Sequence, residues 1–167
     1  MANITAAAVN ELRKRTGVGM MDCKKALVEC DGDMDKAIDY LREKGQKLAA
    51  KRADRDASEG AVLATVNADK TFAAVIMMNC ETDFVAKNED FVAFTREVLQ
   101  TAVDAKAKSL EEVMALTING LSVETMIVEQ VAKIGEKITL SHYYPIEAVA
   151  TYAYVHPGNR MASVVGL

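Results

Sequence analysis

The hydrophobic period changes near residue 60, and that change limits the fold more than any other feature of the sequence. Through the first 45 residues apolar side chains recur at three- and four-residue intervals. They run as Ala8, Val9 and Leu12, then Cys23, Ala26, Leu27 and Cys30, then Met34, Ala37, Ile38 and Leu41. Each set covers one side of an α-helix and leaves the other side polar. Thr5 and Asp33 precede the first and third sets as N-cap residues, with side chains that accept a free backbone N–H. Gly17 and Gly45 are placed to stop the same two helices. Helices with one apolar stripe and tight connections must bury those stripes on one another. Residues 1–45 are therefore expected to form a compact three-helix domain.

Residues 46–60 are rich in alanine and charge and carry no sustained stripe, so they predict a charged linker, helical or frayed. Beyond it the segments 61–67 and 71–80 are rich in Val, Ile and Ala and predict a β-hairpin. A helix is expected over 89–105, with Asn88 as N-cap and Phe91, Phe94, Val98 and Ala102 on one side. A second follows Ser109, which with Glu112 has the spacing of a capping box. A third spans 123–134 and is stopped by Gly135. Strand patterns close the sequence at 137–144, 148–156 and 161–167, with Pro157, Gly158 and Asn159 in the last turn. The order predicts an α+β core domain over 61–167, with helices packed on one face of an antiparallel sheet. The last strand pattern reaches Leu167 without a cap or polar taper. It is expected to be a sheet edge or, preferably, a cut within a larger protein, which would leave this domain truncated.

Function classes narrow by exclusion. Of 167 residues half are hydrophobic and 26% charged, an ordinary globular balance. The net charge is −4, and the basic cluster Lys47, Lys51, Arg52 and Arg55 is interleaved with Asp54, Asp56 and Glu59. Neither feature suits a protein that grips phosphate backbones, so no direct nucleic-acid binding is expected. Cys23, Cys30 and Cys80 show no CxxC spacing, and His142 and His156 lie far from them. No metal site or cofactor is implied. There is no charged-then-apolar leader and no apolar run near the roughly 20 residues of a membrane span. A reducing, cytoplasmic setting without membrane contact is the expectation. Catalytic motifs such as GxSxG, a P-loop or HExxH are absent, and neither histidine adjoins an obvious nucleophile, so nothing nominates an enzyme.

Two segments carry more than folding requires. In Thr16-Gly17-Val18-Gly19-Met20-Met21-Asp22-Cys23-Lys24-Lys25, two glycines shape a tight loop that delivers adjacent methionines. Both methionines fill the small core, or they form an adaptable binding surface, for which flexible, polarizable thioethers are suited. In Asn79-Cys80-Glu81-Thr82-Asp83-Phe84-Val85-Ala86-Lys87-Asn88, a strand ends and an acidic residue precedes a phenylalanine. Either Thr82 or Asp83 caps a short turn and Phe84 staples it to the core, or Phe84 projects as an anchor with a carboxylate beside it.

The stretch from Leu12 to Leu27 that contains the first segment, and the run from Asn79 to Lys87 in the second, resemble the two signatures of the elongation factor Ts family. Ala132-Lys133-Ile134-Gly135-Glu136 and His156-Pro157-Gly158-Asn159-Arg160 resemble further family segments. The resemblance implies that residues 1–45 are a ubiquitin-associated (UBA)-like domain that docks on the GTPase domain of elongation factor Tu. It assigns Leu12, Met20 and Met21 to that contact, and Asp83 and Phe84 to a pair that intrudes near the partner's magnesium and phosphate site. It assigns Ile134 and Gly135 to another contact with the GTPase domain, and His156 to one with the partner's third domain. The implied activity is guanine-nucleotide exchange by binding, not enzymatic turnover. Docking without driven exchange stands as the alternative, and the oligomeric state is left open.

Overall fold

The computed structural model describes residues 3–167. Along the chain run α1 (Ala6–Thr16), α2 (Met20–Glu29), α3 (Met34–Lys51), β1 (Glu59–Val66), β2 (Phe72–Cys80), α4 (Asp83–Ala86), α5 (Glu89–Asp104) and α6 (Leu110–Ala115). They are followed by β3 (Thr117–Ile118), β4 (Leu121–Ser122), α7 (Val123–Ile134), β5 (Thr139–Glu147), β6 (Thr151–Val155) and β7 (Ala162–Gly166). The expected α+β class holds. The chain divides into two compact units. One takes in the chain up to Asp54 together with Ile127–Glu136; the other takes in Arg55–Met126 and Lys137–Leu167.

In the helical unit the local signals act as expected. The Thr5 hydroxyl accepts the Ala8 N–H at 3.2 Å and the Asp33 carboxylate accepts that of Lys36 at 3.1 Å. Gly17 ends α1 at φ 68°, donating its N–H to Arg13 O at 2.7 Å. A side chain would strain that left-handed backbone. Val9, Leu12, Val18, Cys23, Ala26, Leu27, Ala37 and Leu41 form the core. A cap contributes about 1 kcal/mol, whereas each fully buried leucine contributes roughly 1.5–3 kcal/mol. The stripes therefore decide the fold and the caps set its limits.

Gly45 does not stop the third helix, which continues to Lys51. Its backbone lies against α7: a Cβ at Gly45 would stand 3.0 Å from the Ala132 Cβ and 3.2 Å from Val128 O. This glycine permits close helix approach instead of a left-handed turn. An ion pair of 2.7 Å between Arg42 and Glu129 bridges the same two helices. The expected linker over 46–60 is thus helical through Lys51, and β1 begins at Glu59.

In the sheet unit β2 is the middle strand of an antiparallel sheet ordered β1-β2-β5. Phe72, Ala73, Ala74, Ile76, Met78 and Cys80 of β2 are buried. Against β1 and β2 lies α5, burying Phe91, Phe94, Val98, Leu99 and Ala102. Asn88 caps it by accepting the N–H groups of Asp90 and Phe91 at 2.9 and 3.3 Å. Ser109 caps α6 through the Glu112 N–H at 3.2 Å, but the Glu112 carboxylate reaches back to the Lys108 N–H at 2.6 Å. The capping box therefore closes one residue earlier than its spacing predicts. The Tyr143 hydroxyl donates to Ala107 O at 3.0 Å. Burial, with the Glu112 charge adding to it, pushes that phenol up to about 12.

The last three strands do not extend one sheet. β5 pairs with β2, with a register shift between Met77 and Met78. β6 and β7 pair only with each other, through a turn in which Gly158 and Asn159 have φ 94° and 56°. A short local hairpin brings those two strands together at low loop-closure cost. The small β3–β4 ladder, turning through Asn119 and Gly120 at positive φ, was not among the expected elements.

Candidate partner-binding surfaces

The first surface begins with the loop between α1 and α2. Thr16 donates its hydroxyl to Leu12 O at 2.8 Å, and its oxygen accepts the Val18 N–H at 3.3 Å. Val18 is buried, and its carbonyl accepts the Cys23 thiol at 3.4 Å. Burial pushes that thiol up, consistent with a packing role. The chain then leaves the core at Gly19, and α2 starts at Met20. Because Cys23, Ala26 and Leu27 occupy the inner stripe, Met20 falls at its border and Met21 outside it. Their exposures are 48% and 77%. Both side chains border a groove of about 570 Å³ that Ile4, Val9, Asn10 and Lys24 also line. Of the two readings of this pair, core filling does not hold for Met21.

Leu12 is completely buried in the helical core. Helical periodicity turns its side chain inward with Val9. Ile134 and Gly135 lie in the same unit as the methionines. Gly135 has φ 80° and donates to Val131 O at 2.8 Å, stopping α7 as expected. The Lys133 side chain lies over Gly17, so the end of α7 adjoins the α1–α2 loop.

The second surface is in the sheet unit. β2 ends at Cys80, and after Glu81 the chain forms the single turn α4. Thr82 caps it, its hydroxyl accepting the Val85 N–H at 3.5 Å, as the turn-capping alternative anticipated. The staple half of that alternative fails: Phe84 is 83% exposed, the second most exposed large apolar side chain among the described residues. Beside it Asp83 is ion-paired with Lys87 at 2.9 Å. The hydrogen bond and charge of that ammonium hold the Asp83 carboxyl below its ordinary range. Below the turn the structure is well tied. The Cys80 thiol donates to Thr82 O at 3.2 Å, and the buried Asn79 amide donates to Glu59 O at 3.1 Å. The Asn79 side-chain oxygen accepts the Ser141 hydroxyl.

His156 follows β6 and is exposed. Its ring nitrogen Nδ1 and the Tyr154 hydroxyl are 2.9 Å apart. Tyr152, Tyr154 and Val165 expose apolar surface on the same hairpin, with Tyr152 opposite Val165. None of these three stood out in the sequence, because alternation along a strand gives two faces without saying which one meets solvent. Leu12, Met20, Met21, Ile134 and Gly135 thus share the helical unit, and Asp83, Phe84 and His156 share the sheet unit. Among the described residues no cluster of His, Cys, Asp and Glu is arranged to hold a metal ion, and no helix is long and apolar enough to cross a membrane.

Comparison with known proteins covers both units. The family model described as "Elongation factor TS" matches residues 81–167, and the one described as "Elongation factor Ts, mitochondrial, N-terminal" matches residues 1–49. The protein named Elongation factor Ts from Christiangramia forsetii is 53% identical over 167 residues, covering all of this chain and 60% of that relative. Those of the same name from Flavobacterium johnsoniae and Rhodopirellula baltica are 50% and 49% identical, with 100% and 99% of this chain aligned to 51% and 50% of theirs. The chain therefore spans between half and three fifths of the length of these relatives.

Proposed function

This chain belongs to the elongation factor Ts family, and on that premise we propose that it binds elongation factor Tu in the cytoplasm and accelerates GDP release from it. The observation that carries this reading is Phe84, which stands exposed beside Asp83 on a turn fixed from below. A ring that packed into its own core would have nothing to insert elsewhere.

GDP is held on a translational GTPase largely by a phosphate-binding loop and Mg²⁺. Disturbing either removes charge-assisted contacts, and no nucleophile is required. The protein needs only to bind the nucleotide-free partner more tightly than the loaded one. By reciprocal linkage it then weakens the nucleotide as much as the nucleotide weakens it. Met20 and Met21 serve as the adaptable docking surface on the GTPase domain, with Ile134 and Gly135 as a further contact there. Asp83 and Phe84 intrude toward the magnesium and phosphate site, and His156 touches the third domain. Leu12 supports α1 and α2 from inside the core.

Release of a fluorescent GDP analogue from elongation factor Tu, followed with increasing amounts of this chain, tests the proposal. A release rate that rises and saturates is expected. Retention of the chain on immobilised elongation factor Tu with unaccelerated release would leave docking alone.

A further inference from the structure

Phe84 needs a fixed direction, and α4 does not provide one by itself. A four-residue helix lies far below the length at which helices hold in water. Its orientation is set where the chain leaves β2, and a single residue, Glu81, separates Cys80 from the Thr82 cap. The Glu81 side chain is only 14% exposed. Its Oε1 accepts the backbone N–H of Lys137 at 2.7 Å, and its Oε2 lies 3.6 Å from the Arg55 guanidinium. The Lys137 ammonium donates in turn to Arg55 O at 3.1 Å. Three residues from distant parts of the sequence thus close a ring, all within the sheet unit.

The strongest link in that ring is the bond from the Lys137 N–H to the carboxylate. It is short and charge-assisted, about twice as strong as a neutral bond. The Arg55 contact is longer, and the Arg55 side chain is mostly exposed, so it contributes little. We propose that Glu81 is a positioning residue: by gripping the Lys137 backbone it fixes the foot of the turn that aims Asp83 and Phe84. The assignment rests on the exchange reading above and deepens it. The clasp as proposed works through the reach of this side chain. Glutamine keeps an oxygen at the same distance, aspartate keeps the charge on an arm one methylene shorter, and alanine keeps neither.

Stopped-flow release of a fluorescent GDP analogue from elongation factor Tu, across a range of chain concentrations, separates these possibilities. For Glu81→Ala the maximal rate is expected to fall about tenfold, as for a misplaced group, with the half-saturating concentration held within about threefold. Glu81→Gln is expected to stay within about threefold of the unaltered chain. Glu81→Asp should follow Glu81→Ala, and it carries the test if the alanine variant does not fold. An unaltered maximal rate for Glu81→Ala would overturn the assignment, as would a fall in Glu81→Gln equal to that in Glu81→Ala. A change confined to half-saturation would also overturn it. If the unaltered chain accelerates nothing, the exchange reading fails by itself, and hydrogen exchange at the Lys137 amide still judges the clasp. Protection lost in Glu81→Ala and kept in Glu81→Gln would uphold it; equal protection in the unaltered chain and Glu81→Ala would remove it.

Discussion

Met20 and Met21 begin a ten-residue helix whose inner face is sunk in an apolar core, whereas Phe84 rides on a four-residue helix whose supports are polar. The two surfaces therefore divide flexibility differently. At the methionines the backbone is fixed by Cys23, Ala26 and Leu27, and freedom remains in side chains with three rotatable bonds each. At Phe84 the side chain is a stiff ring, and its direction is set by the hydrogen bonds that the side chains of Cys80, Glu81 and Thr82 make to backbone groups. The first arrangement suits a surface that adapts to a partner, and the second suits insertion along one line. Apolar packing tolerates small rearrangements, while a hydrogen-bonded foot either holds or lets go.

The largest expected effect breaks the support of the first surface. Leu12→Ala removes a fully buried side chain from the helical core and should cost about 2–5 kcal/mol, measured by urea unfolding. A stability loss below about 0.5 kcal/mol, the range of surface substitutions, would show that Leu12 is not a core residue. Phe84→Ala inverts that outcome. At 83% exposure the ring contributes little to stability, so the melting temperature should stay within about 1 °C. Maximal GDP release should nevertheless slow about thirtyfold, the usual cost of truncating an interface hot spot. Release at the unaltered rate would sink the insertion role. Met20→Ala and Met21→Ala should act more gently, each raising the half-saturating concentration about fivefold while leaving the maximal rate alone. A fall in maximal rate instead would erase the contrast between an adaptable surface and a directed one.

Much of this arrangement was legible in the sequence wherever the cause is local. Thr5, Asp33, Asn88 and Ser109 all cap the helices they precede, because a short polar side chain needs only the next turn of backbone to bond. Gly17 was legible for the same reason. Gly45 was not: a glycine that ends a helix and one that admits a neighbouring helix look alike, and its neighbours Val128 and Ala132 lie more than eighty residues away. Distance in sequence also hid the grouping of Ile127–Glu136 with the first helices and the separation of β6–β7 from the sheet. At the candidate site the sequence marked Met20, Met21, Asp83 and Phe84 but left open whether they point inward. That depends on which neighbours occupy the core, where Phe91, Phe94 and most of β2 are buried while Phe84 is not.

The smallest expected effect tests whether the sheet unit is a rigid base for the turn. Tyr143 on β5 donates its phenol to Ala107 O, and its titration is raised to about 12 against an ordinary value of 10. The folded state therefore favours the protonated phenol. Its contribution is fully present below pH 10 and is lost as pH rises from 10 through 12, where the unfolded chain ionises first. Tyr143→Phe removes both the bond and the titration. Near neutral pH it should cost about 1 kcal/mol, the net worth of one hydrogen bond. Between pH 10 and 12 the gap between the two proteins should close and then reverse, since only the unaltered one loses stability through this group. The two proteins differ at this one group, so the difference between the two melting curves isolates Tyr143. A gap that stays constant across that window would mean the phenol is not held protonated by burial, and that β5 is a looser base than its hydrogen bonds imply.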